Sequence, residues 1–144
     1  DKDVHRFVKV KNSIQTSTDN EHMLKFIHDL VYAIEELDRV IKNLNTSHKC
    51  YKDAINNFKR KQQSYAFTLF IKAFRCDLMS FDELKQILNK LNKLKVYPID
   101  TRLGGIGGKK TSKIYSKTVV PVLNNKGLLF SSLKIKRLIS LKRH

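Results

Sequence analysis

The sequence predicts a mainly α protein. The expected architecture is an antiparallel bundle of three helices, two of them long, followed by a basic glycine-rich arm with a candidate β-hairpin and a short C-terminal helix. Three observations carry this. Apolar residues recur every three to four positions over most of the first 100 residues, the period of amphipathic helices. Helix-starting and helix-breaking residues punctuate that pattern at Thr18, Asn45-Thr46-Ser47, Ser80 and Pro98. Finally, the charge changes abruptly: residues 1–100 hold 18 Lys/Arg and 13 Asp/Glu, whereas residues 101–144 hold 11 Lys/Arg and no acid. This divides the chain into a helical scaffold, 1–100, and a basic arm, 101–144.

Residues 1–17 read as polar and irregular, with Val4, Phe7, Val8 and Val10 as material for a short strand or strap. The first helix is expected to start at Thr18, which has capping-box spacing with Glu21. Its inner stripe is Leu24, Ile27, Leu30, Val31, Ile34, Leu37, Ile41 and Leu44. Glu35 and Arg39 are spaced for an i,i+4 ion pair on the solvated side. The second helix is expected from about His48 to Leu78. Its segment Tyr65 to Phe74 is apolar almost all round, which demands neighbours on several sides. Ser80 and Glu83 form the best capping box in the chain and open a third helix to about Lys95, with Phe81, Leu84, Ile87, Leu88, Leu91 and Leu94 facing inward. Pro98 stops it, because the residue before a proline is pushed out of helical conformation.

The joint between scaffold and arm, Arg102 to Lys117, holds four of the five glycines. Gly104-Gly105-Ile106-Gly107-Gly108-Lys109-Lys110-Thr111 resembles a phosphate cradle until its spacing is tested. The P-loop pattern fails because Leu103 stands where the first glycine belongs and Lys110 replaces the Ser/Thr. The dinucleotide pattern fails because Lys110 stands where its third glycine belongs. A hinge or extended arm remains. Beyond it, Ile114 to Leu123 is rich in β-branched residues, Asn124 to Gly127 has turn chemistry, and Leu128 to Phe130 is a returning strand in this reading. Ser131 or Ser132 then caps a last basic helix to about Arg143, with a strand over 128–136 as the open alternative.

Composition narrows the function. The 144 residues carry a net charge of +16, which speaks to partners and not to fold. No apolar run is long enough to cross a bilayer. No metal-ligand spacing, metalloprotease signature or triad signature is present among the five histidines and two cysteines, so neither an enzyme nor a cofactor is expected. Within one helix, Cys50 and Cys76 would lie about 39 Å apart, too far for a disulfide. The chain begins at Asp1 and not Met, so it is expected to be processed or a fragment.

These features favour a structural RNA-binding protein, foremost a ribosomal component, in which the arm follows rRNA and the helices meet other proteins of the assembly. RNA is favoured over DNA. The Lys/Asn/Ile bias suits an organellar ribosome, and a mitochondrial, organellar or cytoplasmic setting is favoured over secretion. The expected phosphate contacts are Arg102, Lys109, Lys110, Lys113, Lys117, Lys134, Lys136, Arg137, Lys142 and Arg143, with Tyr115 placed to stack on a base or to pack. Lys59, Arg60 and Lys61 form a second basic patch, for which a solvated face is the competing reading. Two alternatives stand beside this one. The first is a structural virion or phage protein touching packaged nucleic acid or an acidic partner. The second is a secreted helical-bundle factor binding polyanions, which a Cys50–Cys76 disulfide would favour.

Overall fold

A computed structural model describes residues 2–44, 51–103 and 112–143, and the side chains of 20–44, 51–102 and 113–141. The break at Asn45–Ser47, Cys50 and the glycine run with Lys109 and Lys110 lie outside the described residues. The chain folds as α1 (Lys2–Asn43), α2 (Tyr51–Arg75), α3 (Phe81–Lys93), a single 3-10 turn (Thr101–Leu103), α4 (Ser112–Leu123) and α5 (Lys126–Arg143). There is no strand among the described residues.

The first three helices follow their apolar stripes. Ile27, Leu30, Val31 and Ile34 of α1 are buried against Ala66, Leu69, Phe70 and Ala73 of α2. The two run antiparallel: Gln62 Nε2 donates to Ile34 O at 3.1 Å, and Cys76 Sγ donates to Asn20 O at 3.3 Å. The segment Tyr65–Phe74 is wrapped as its composition demands, with Phe67 and Phe70 also in the core. α3 lies parallel to α1, tied by His28–Glu83 at 3.0 Å and Glu35–Lys90 at 3.2 Å.

Those pairs correct two local expectations. Glu83 turns to His28 and leaves only the serine half of the capping box, Ser80 Oγ accepting from Glu83 N at 3.1 Å. Glu35 reaches across to α3, while Arg39 pairs with Glu36 at 2.8 Å. A third correction concerns the N-terminus. α1 already begins at Lys2, so 1–17 is not a strand and Thr18 is no cap. α2 stops at Arg75, short of the expected Leu78, because Asn20 Oδ1 accepts from Asp77 N at 3.2 Å and Met79 swings into the core. Cys76 is a buried free thiol just past that helix.

α3 ends in a Schellman motif. Lys95 N donates to Asn92 O at 3.0 Å and Val96 N to Leu91 O at 2.9 Å, with Lys95 at φ 62°. An L-residue in that region costs roughly 1 kcal/mol, and the Lys95 side chain is exposed. Lys95→Gly should therefore stabilise the protein by about 1 kcal/mol and raise its thermal midpoint by roughly 2–4 °C in a calorimetric scan. No rise, with the helical content unchanged, would contradict this account of the turn.

The largest correction is in the C-terminal third. The expected hairpin is two helices, and the described part of the expected arm shares the core of the scaffold. Val120, Leu123, Leu129 and Leu133 are each no more than 2% exposed. Tyr115, Val119, Val120 and Leu123 form a helical stripe, and burying it outweighs the β-preference of the individual residues. Pro121 sits late in α4 and exposed, where the missing N–H affects one bond and the last turn still closes through Asn124 N to Val120 O at 2.9 Å. The turn residues do turn the chain, but between helices. Asn125 Oδ1 caps α5 by accepting from Leu128 N at 3.1 Å. Asn124 pairs with both backbone groups of Ile99, at 2.7 and 3.0 Å. Tyr97 Oη donates to Leu123 O at 2.7 Å, and burial pushes its pKa further above 10, so the bond persists at neutral pH.

Candidate nucleic-acid interface

α5 runs antiparallel to α3, and their facing stripes leave an open cleft of about 510 Å³ between them. From α3 come Phe81, Lys85, Leu88 and Asn89; from α5 come Lys126, Gly127, Phe130 and Lys134. Both sets follow helical spacing, so the residues of each share one side of their helix. Phe81 and Phe130 meet edge to face with centroids 5.8 Å apart and give the cleft an apolar floor. Lys85 Nζ sits 5.8 Å from the Phe130 centroid. None of the described lining residues is acidic.

The N-terminus of α5 adds to this field. Helix N-termini carry partial positive charge and usually recruit an acidic residue. The first turn of α5 has no acid and begins with Lys126. Gly127 lines the cleft there, and a Cβ on it would come within 3.3 Å of the Asn125 cap oxygen. Three ammonium groups thus border a cleft with an apolar floor and no acidic lining to neutralise them. That arrangement is chemically suited to an anion with a flat or apolar part. Among the described residues no cluster of three His, Cys, Asp or Glu could hold a metal ion. A second depression, lined by His22, Lys25, Phe26, Asp29 and Lys72, mixes both signs of charge and lacks this bias.

The structure sorts the residues singled out in the sequence. Lys134 lies in the cleft. Lys113 and Lys117 are exposed one turn apart on α4. Lys59, Arg60 and Lys61 are exposed on α2 and fan around it, with Arg60 donating to Asn57 Oδ1 at 3.5 Å. The remaining described groups are engaged within the fold. The Tyr115 ring packs on Phe67 at 5.5 Å, so of its two anticipated roles it performs packing. Arg137 donates to Met79 O and lies 4.7 Å over the Phe81 ring. Lys136 approaches Asp77 at 3.5 Å.

Arg102 forms a two-pronged pair with Asp100, both bonds 3.0 Å. The bonded guanidinium holds the Asp100 carboxyl below its usual range, so the pair contributes in full above that range and is lost as the pH falls from it through the lowered folded-state value. The side chains of Lys142 and Arg143 lie outside the described residues. Lys85, Asn89 and Lys126 are site residues that sequence reasoning does not find. Their signal is the spacing Lys126–Phe130–Lys134, which becomes one face only when 126–134 is read as helix.

Compared with known proteins, the chain matches no family model, and no curated protein or solved structure is significantly similar to it.

Proposed function

We propose that this chain is a structural RNA-binding protein, in which the α3–α5 cleft and the acid-free exterior of α4 neutralise backbone phosphates. The observation that carries the reading is the convergence of Lys85, Lys126 and Lys134 on a cleft floored by Phe81 and Phe130 with no acidic lining. Phosphate contacts supply affinity, and an apolar floor suits the unstacked bases that RNA offers in loops and bulges. In this reading the lysines bind and carry out no chemistry, and the protein is not an enzyme. A ribosomal component, organellar or otherwise, is the assembly we favour, because a chain of +16 whose excess charge sits mostly in one third suits an rRNA surface.

The test is a salt titration of RNA binding by nuclease-treated protein. The triple variant Lys85→Ala, Lys126→Ala, Lys134→Ala should weaken binding and reduce the log–log salt slope by about 2–3, close to one for each phosphate no longer neutralised. A variant in which Lys25 and Lys93, exposed elsewhere, are replaced by alanine should keep most of the affinity. Absence of binding at roughly 50 mM salt, where such contacts are strongest, would reject the RNA reading. An unchanged slope in the triple variant would reject the cleft. Sedimentation of the tagged chain with ribosomal subunits, resisted by high salt, tests the ribosomal assignment.

A further inference from the structure

α5 is apolar on two faces. Its inner face, with Leu129 and Leu133 each 1% exposed, belongs to the core. Its outer face carries Leu128, Ile135, Leu138 and Ile139, between 49% and 59% exposed. At about 100° per residue these four fall within an arc of roughly 100°. Lys134 borders the arc on one side and Lys136 on the other, and α5 contains no acidic residue. Ser131 and Ser132 separate Leu128 from the rest, and the exposed cluster of Ile135, Leu138 and Ile139 marks a contact surface.

We propose that this outer face docks on a membrane surface containing anionic phospholipid. α5 would lie in the headgroup plane, with the apolar side chains entering the acyl boundary, Lys134 reaching lipid phosphate, and Lys136 exchanging its 3.5 Å contact with Asp77 for one with lipid. The inner face holds the helix flat on the protein, so the outer strip is presented along its length without unfolding. Among the described residues no helix is long and apolar enough to cross a bilayer, so the contact is peripheral.

Other occupants fit less well. RNA would satisfy the lysines and leave the strip in water. A second copy would set two acid-free basic helices against each other. A partner helix would find flanks of a single sign, whereas paired helices use alternating charges to fix register. A fluid anionic sheet needs no register, and each lysine near it adds affinity. The strip shares Lys134 with the RNA cleft, but its apolar residues lie on the outer arc, away from α3.

The experiment is cosedimentation of the full chain with vesicles of phosphatidylcholine alone and of phosphatidylcholine with roughly 30% phosphatidylserine. Binding to the anionic vesicles is expected, with little to the neutral ones. The double variant Ile135→Ser, Leu138→Ser should lower the partition coefficient by about tenfold while keeping the far-ultraviolet dichroism and RNA affinity of the parent. Four outcomes overturn the proposal. The first is no binding to anionic vesicles. The second is binding undiminished in the double variant, which leaves charge adsorption alone. The third is a parent dimer, in sedimentation velocity, that the double variant disperses, which assigns the face to a second copy. The fourth is a parallel fall of RNA affinity in the variant, which moves the strip into the RNA interface.

Discussion

A chain ending at Asp100 is expected not to fold. Removing 101–144 strips Val120, Leu123, Leu129 and Leu133 from the core, all of them at most 2% exposed. Burying such side chains is worth about 1.5–3 kcal/mol each, so their removal takes away roughly 6–12 kcal/mol. A domain of this kind has a total stability of only about 5–15 kcal/mol. Hydrogen bonds leave with them, among them that from Tyr97 Oη to Leu123 O and those between Asn124 and both backbone groups of Ile99. Phe67 and Phe81 would also be left without their ring partners Tyr115 and Phe130. Thermal melts followed by far-ultraviolet dichroism should show a cooperative transition for the full chain and none for the truncated one. A cooperative melt of residues 1–100 within a few degrees of the parent would mean that the C-terminal helices are an appendage. The same loss constrains any test of the proposed RNA binding. Deleting the basic third would destroy the scaffold along with the charge, so only point substitutions of exposed lysines can separate the two.

The C-terminal third resists reading because of what local sequence encodes. α3 is legible because every local signal agrees: Ser80 at the cap, and Leu84, Ile87, Leu88 and Leu91 at helical spacing, all four of which are buried. The inner stripes of α1 and α2 are legible for the same reason. In α4 the signals conflict. Val119, Val120 and Val122 count toward a strand, and Pro121 counts against a helix, while the stripe from Tyr115 to Leu123 is helical. Only the core that receives this stripe settles the conflict, and that core is assembled from distant segments. In α5 two apolar faces blur the period that would reveal one. The excess of lysine points to an arm, yet charge constrains partners and leaves helix packing free. The cleft is illegible for a related reason. Lys85 and Lys126 come together only because α5 runs back along α3, a pairing that no short window of sequence contains.

Replacing Gln63 by leucine should cost about 2–4 kcal/mol, although the side chain changes little in volume. In sequence, Gln62 and Gln63 directly follow the basic run Lys59, Arg60 and Lys61. In the structure they are 4% and 3% exposed. Gln63 Nε2 donates to Val96 O at 3.1 Å and its Oε1 accepts from Asp100 N at 3.0 Å. One side chain thus grips both ends of the loop that carries Val96, Tyr97 and Ile99 into the core. Through Tyr97 and Ile99 that loop holds Leu123 and Asn124, and so the corner from which α5 and its Lys126 depart. Leucine would fill the space and leave two inward-facing backbone groups without those partners, each worth about 1–3 kcal/mol, less at the half-buried Asp100 end. The thermal midpoint should fall by roughly 10 °C. Gln62 provides the control. Its bond of 3.1 Å to Ile34 O goes to a carbonyl in the middle of a helix, where the main chain already supplies a donor. Gln62→Leu should therefore cost about 1 kcal/mol or less. Equal losses of stability in the two variants would show that burial of the amide, and not its grip on the 96–100 loop, sets the cost.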